Sequence, residues 1–173
     1  MMIRITWNNK ELEEEILSEN FKEGGFGYLN LTLKMFIDSV DIIGGSFTFV
    51  KIFFNQLYGA FKCIDSEGFR NIKLFAAPDN RISAHGAEFY LNSKKNKDLI
   101  LIKYQRVDMI NEYKHIEVSF KELIKGVLES NEHLFNQVLE IHPGIKNDPE
   151  FIQLKQEMEI VKGWYKNRYG KQL

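Results

Sequence analysis

The chain has 173 residues, of which 44% are hydrophobic and 27% charged, with only three prolines and a formal net charge of −1. That size and balance describe an ordinary globular domain burying about two thirds of its unfolded surface, so neither disulfides nor metal are needed to hold a core. They exclude a global positive field that would gather nucleic acid or an acidic membrane, and the solitary Cys63 excludes an internal disulfide.

One cysteine also points to a reducing compartment, so a cytoplasmic location is expected. The N-terminal stretch "MMIRITWNNKELEEEIL" turns acidic within its first turns and offers no long apolar run, which argues against a signal peptide. The most apolar segment, 42–64, is interrupted by Lys51, Asn55, Gln56 and Lys62. A membrane-spanning helix needs about 20 mainly apolar residues, so none is expected. Without repeats, low-complexity tracts or a linker, residues 1–173 read as a single domain.

In chain order, "IRITW" is a short strand, and Asn8 with Glu11 caps a short acidic helix. After "EGGFG", the residues Leu29, Leu31, Leu33, Met35 and Ile37 alternate with polar positions, the pattern of a half-buried strand. Between Ser46 and Ile64 the period changes to about 100° per residue. Phe49, Val50, Phe53, Phe54, Leu57, Ala60 and Phe61 then fill an arc of roughly 200°, which predicts a helix buried on more than one side.

Four strands are predicted next: "NIKLFAA", "RISAHGAEFYLN", "DLILIKYQRV" and "EYKHIEV". Their connections are short and polar, too short for parallel crossovers, so they form an antiparallel meander. Ser119 and Glu122 form a capping box for a helix ended by "HPG" at 142–144. Asn131 falls within the apolar stripe of that helix. Either it is buried and hydrogen-bonded or "ESNEH" breaks the helix, and the break is the preferred reading. Asp148 and Pro149 open the last helix, whose stripe is Phe151, Leu154, Met158, Val161 and Tyr165. The sum is an α+β fold: an antiparallel sheet of about five to six strands, including the meander, packed against a buried central helix and two C-terminal helices.

Two places carry candidate chemistry. Within "ISAHGAEFYL" the apolar positions switch from even to odd at His85-Gly86, which a β-bulge would explain. The bulge would set Ser83 or His85 on the same side as Glu88 and Tyr90, an acid/base surface that lacks any nucleophile motif. On the last helix, Ile160 and Trp164 lie four residues apart and well off the buried stripe, with Glu157, Arg168 and Lys171 flanking them. An exposed Trp and Ile among basic residues is the composition of a protein contact.

No metal site is expected, because His115, His133 and His142 lack ligand spacing and Cys63 stands alone. "GGFG" at 24–27 and "IGG" at 43–45 are turn glycines rather than phosphate loops, so no cofactor is expected. The composition resembles that of small bacterial immunity proteins, with no motif behind the likeness. The preferred reading is a non-enzymatic interaction module, an inhibitor, adaptor or immunity-type binding protein, that uses Ile160, Trp164, Arg168 and Lys171 to meet a protein partner or a second copy. The alternative is a small enzyme or ligand-binding protein with its site at His85, Glu88 and Tyr90. Nucleic-acid binding ranks third, because only the basic segment 162–173 would supply phosphate contacts.

Overall fold

The computed structural model describes residues 2–94, 98–109 and 111–170. Strand β1 (Ile3–Thr6) lies antiparallel against β2 (Asn30–Ile37), in which the alternating Leu31, Leu33, Met35 and Ile37 are all buried. Two short strands, β3 (Val40–Asp41) and β4 (Ser46–Phe49), also pair with β2, the first at its C-terminal end and the second along its N-terminal half. The second sheet is the expected meander, β5 (Arg81–Ala84), β6 (Ala87–Ser93), β7 (Leu99–Gln105) and β8 (Lys114–Ser119), every neighbour antiparallel.

The architecture is therefore α+β, with two four-stranded sheets in place of one sheet of five or six. The additional strands β3 and β4 are too short to show a period, and β4 takes the residues that the sequence assigned to the start of the central helix. That helix, α3, begins only at Val50.

Among the described residues, five α-helices pack around the sheets. Helix α1 (Asn9–Leu17) is capped by the Asn8 side chain, which accepts from Lys10 N at 2.9 Å, and α2 (Glu19–Gly24) follows it directly. Helix α3 (Val50–Ile64) buries Val50, Phe53, Phe54, Leu57, Tyr58 and Phe61, and it packs against β5, β6 and both later helices, as its wide apolar arc requires. Helix α4 (Phe120–Ile141) starts at the Ser119 cap and lies along β1, where Ser130 Oγ accepts the Ile5 N–H at 2.9 Å. Helix α5 (Pro149–Tyr169) starts at the Asp148 cap, whose carboxylate accepts from Glu150 N and Phe151 N, and ends at Gly170 in the left-handed conformation. No helix of the described residues is long and apolar enough to cross a membrane.

Two local readings are corrected. Helix α4 runs unbroken through Asn131, which is fully buried and donates its Nδ2 hydrogen to the Tyr58 hydroxyl on α3. The polar residue inside the stripe is thus a buried hydrogen bond between two helices rather than a helix end. And "NIKLFAA" is no strand. Ile72, Leu74 and Ala76 do face inward while Lys73 and Phe75 face out, but the segment crosses helices α3 and α5 instead of joining a sheet edge. Period two reports half-burial, and the sequence alone does not say whether a strand or a helix pair lies underneath. Gly59 lets this segment approach α3, since a Cβ there would sit 2.1 Å from the Ala77 carbonyl oxygen.

Candidate functional site

Helix α5 has apolar side chains on two sides, and the structure covers them unequally. Trp164, expected to be exposed, is only 4% accessible. Its indole stacks on Phe69 at 4.5 Å between centroids and meets Phe120 edge to face at 5.9 Å. Its Nε1 donates to Asp65 Oδ2 at 3.2 Å. Arg168, also expected to meet a partner, donates to the same oxygen at 2.6 Å and lies over the rings of Trp164, Phe120 and Tyr169. Both residues belong to an internal clasp. Lys171 lies outside the described residues.

The cause is the irregular segment 65–80. It leaves α3 at Asp65, brings Phe69 over the indole, and is held further along by Glu157, whose Oε1 accepts the Ala76 N–H at 2.8 Å. A helical wheel drawn for α5 shows its residues but not the coil that crosses it, so the covered apolar side reads as an open one.

Glu157 is itself fully buried, and its Oε2 has no hydrogen-bond partner among the described residues. Burial pushes its carboxyl above the ordinary value of 4.5, against the pull of the Ala76 and Phe75 amides and of Lys51. A folded-state value raised above the unfolded one means that the unfolded chain releases this proton first as pH rises. Stability is then fully present below about pH 4.5 and declines upward through the raised value. Glu157→Gln keeps a carbonyl oxygen for the Ala76 amide and cannot ionise. Thermal melts between pH 4 and 8 are expected to show the variant gaining on the wild type as pH rises; a difference that stays flat with pH would contradict this.

The other apolar side of α5 is open. About 40° round the helix from Trp164, Ile160 lies at the edge of a groove of about 580 Å³ formed between α5, the end of α4 and the 3-10 turn Pro143–Asn147. Leu139, Phe151, Ile152 and Ile160 supply its apolar lining, and Ile152 is 38% exposed. Lys146, Lys155, Gln156 and Glu159 stand along it. Of the four residues predicted to meet a partner, the structure leaves Ile160 at an accessible surface, encloses Trp164 and ties the partly exposed Arg168 to Asp65. Ile152, Gln156 and Ile160 follow one another at four-residue steps, a stripe visible in the sequence, but Leu139 and Lys146 join it only through the turn that folds α5 back on α4.

Among the described residues no hydrogen bond or ion pair joins His85 to Glu88 or Tyr90, the residues of the alternative site. His85 and Gly86 are not a bulge but the two-residue turn of the β5–β6 hairpin, closed by the Ala84–Ala87 pair, with Gly86 at φ +78°. A tight turn switches the apolar parity as a bulge would, because the strand after it runs back with its own register. His85 is exposed at the turn, and its backbone carbonyl accepts from Ser46 Oγ at 2.5 Å, which ties the turn to β4. Glu88 and Tyr90 lie on the outer face of the meander. There Glu88 accepts from the Tyr113 hydroxyl and from Arg81 Nε and Nη2 at 3.0 and 2.7 Å. Tyr113 foremost, with Arg81, holds the Glu88 carboxyl below the usual carboxylate range. A carboxylate held ionised by two partners is a poor proton carrier at neutral pH. Lys103 completes the array over the Tyr113 ring at 4.0 Å.

No three His, Cys, Asp or Glu side chains among the described residues are placed to hold a metal ion. Sequence reasoning misses Asp65 altogether and places Glu157 at the flank of an exposed patch, whereas both are buried acids that hold segment 65–80 to α5; nothing in their neighbours marks them, since each is one acid in a charged stretch. No protein-family model matches the chain, and no curated protein and no solved structure was found to match it.

Proposed function

We propose that the protein is a non-enzymatic interaction module, an inhibitor, adaptor or immunity-type binding protein, that meets a protein partner through the open side of its C-terminal helix. The contact surface is the groove of Leu139, Phe151, Ile152 and Ile160, and no longer includes Trp164 or Arg168. The observation that carries this reading is the exposure of Ile152, with Ile160 beside it, in an apolar recess along a helix that buries Phe151, Leu154, Met158, Trp164 and Tyr165. The enzymatic alternative draws less support, because no hydrogen bond or ion pair among the described residues joins His85 to Glu88 or Tyr90, and Glu88 is engaged by Tyr113 and Arg81.

Affinity capture from the cell of origin with wild-type protein and with Ile152→Glu tests this. Ile152 is exposed enough for the substitution to leave melting within about 0.5 kcal/mol of wild type, as surface changes usually do. A protein retained by the wild type and lost by more than tenfold with the variant is the expected result. Equal retention by both would place the contact elsewhere.

A further inference from the structure

We infer that the segment received by this groove is an acidic amphipathic helix, a deepening that rests on the interaction reading above. Two features of the groove select this occupant. The first is charge. Lys146 and Lys155 form no ion pair with any described residue, whereas Glu159 has a partner in Lys162 at 3.3 Å, which it shares with Glu132 at 2.8 Å. The groove therefore offers two unpaired ammonium groups against one carboxylate that already has a partner, beside an apolar floor, and carboxylates on a partner complement them.

The second feature is backbone chemistry. The groove lies between two helices and a 3-10 turn, and no strand edge borders it. Along their middle turns the backbone groups of α4 and α5 are satisfied within each helix, and the first amides of α5 are taken by the Asp148 cap, so an extended peptide would find no ladder to join and would leave most of its own amides unpaired. A helix brings its backbone already satisfied and needs only side-chain contacts. Ile152 to Ile160 spans about 12 Å along α5, close to the distance covered by anchors at i, i+4 and i+7 on a partner helix. Carboxylates flanking those anchors would reach Lys146 and Lys155, and the pairing would weaken with salt because both ammonium groups stay near solvent.

Selection from a phage-displayed library of 16-residue peptides tests the inference, with Ile152→Glu protein for counter-selection. The expected winners carry apolar residues at helical spacing and net negative charge. Synthetic copies are expected to lose binding to Ile152→Glu, to bind Lys146→Ala/Lys155→Ala about 5- to 10-fold more weakly, and to weaken similarly when salt rises from 50 to 300 mM. Winners that need Ile152 but are neutral, basic or proline-rich, or that ignore both lysines, overturn the acidic helix and leave the groove as a contact surface. Winners indifferent to Ile152, or no enrichment at all, overturn the inference together with the reading it rests on.

Discussion

Trp164→Ala is expected to destabilise the protein by about 3 to 5 kcal/mol, the range for removing a large buried aromatic. The indole is enclosed by Phe69 and Phe120, and its N–H is taken by Asp65, so truncation removes a stacked pair, an edge-to-face pair and a buried hydrogen bond together. At roughly 2 to 4 °C per kcal/mol for a chain of this size, the melting temperature is expected to fall by about 10 °C. Ile160→Ala, one turn earlier at the edge of the groove, is expected to cost less than about 1.5 kcal/mol, since its side chain already meets water. Equal losses from the two variants would mean that α5 is covered alike on both sides.

Asp65→Ala is expected to be nearly as damaging, at about 3 kcal/mol. Its carboxylate is the shared acceptor for the Trp164 indole and the Arg168 guanidinium, and removing it strands both donors in a largely enclosed place. The figure sits at the low end for a broken buried pair because the Arg168 side chain remains 25% exposed and so regains some hydration. Asp65→Asn, which keeps an acceptor, is expected to lose less. Denaturant melts of Asp65→Ala, Trp164→Ala and the double variant should show a loss smaller than the sum, by about 1 kcal/mol or more, because one hydrogen bond is counted in both single changes. Strict additivity would mean that the two side chains do not interact.

Both effects have one origin, the coil 65–80, and that coil marks the boundary of what the sequence tells. Helices α4 and α5 are legible because their caps, Ser119 and Asp148, are local signals with a fixed offset to the first turn. Strand β2 is legible because one face is core for eight residues, so the alternation is long enough to read. The coil has no such signal. Its inward residues Ile72, Leu74 and Ala76 alternate like a strand, and the two carboxylates that hold it come from Asp65 at one end and Glu157 more than eighty positions later.

The same limit governs the candidate site. A helical wheel puts Ile160 and Trp164 alike off the buried stripe, yet the structure leaves the first partly accessible and buries the second, one turn of helix away. What decides between them is a contact with Phe69, at long range in sequence. His85 was misplaced for a different reason. A two-residue turn and a one-residue bulge both reverse the parity of apolar positions, and Gly86 suits either. Only the Ala84–Ala87 pairing distinguishes them, and with it His85 moves to the β4 side while Glu88 and Tyr90 stay on the outer face of the meander.

The most direct test of the interaction reading is photo-crosslinking in the cell of origin from benzoylphenylalanine placed at Ile152, with the same group at Glu88 as the comparison. The groove reading predicts a discrete covalent adduct with another protein from position 152 and none from position 88. Adducts from position 88 with none from position 152 would contradict it, and would move the working surface to the outer face of the meander.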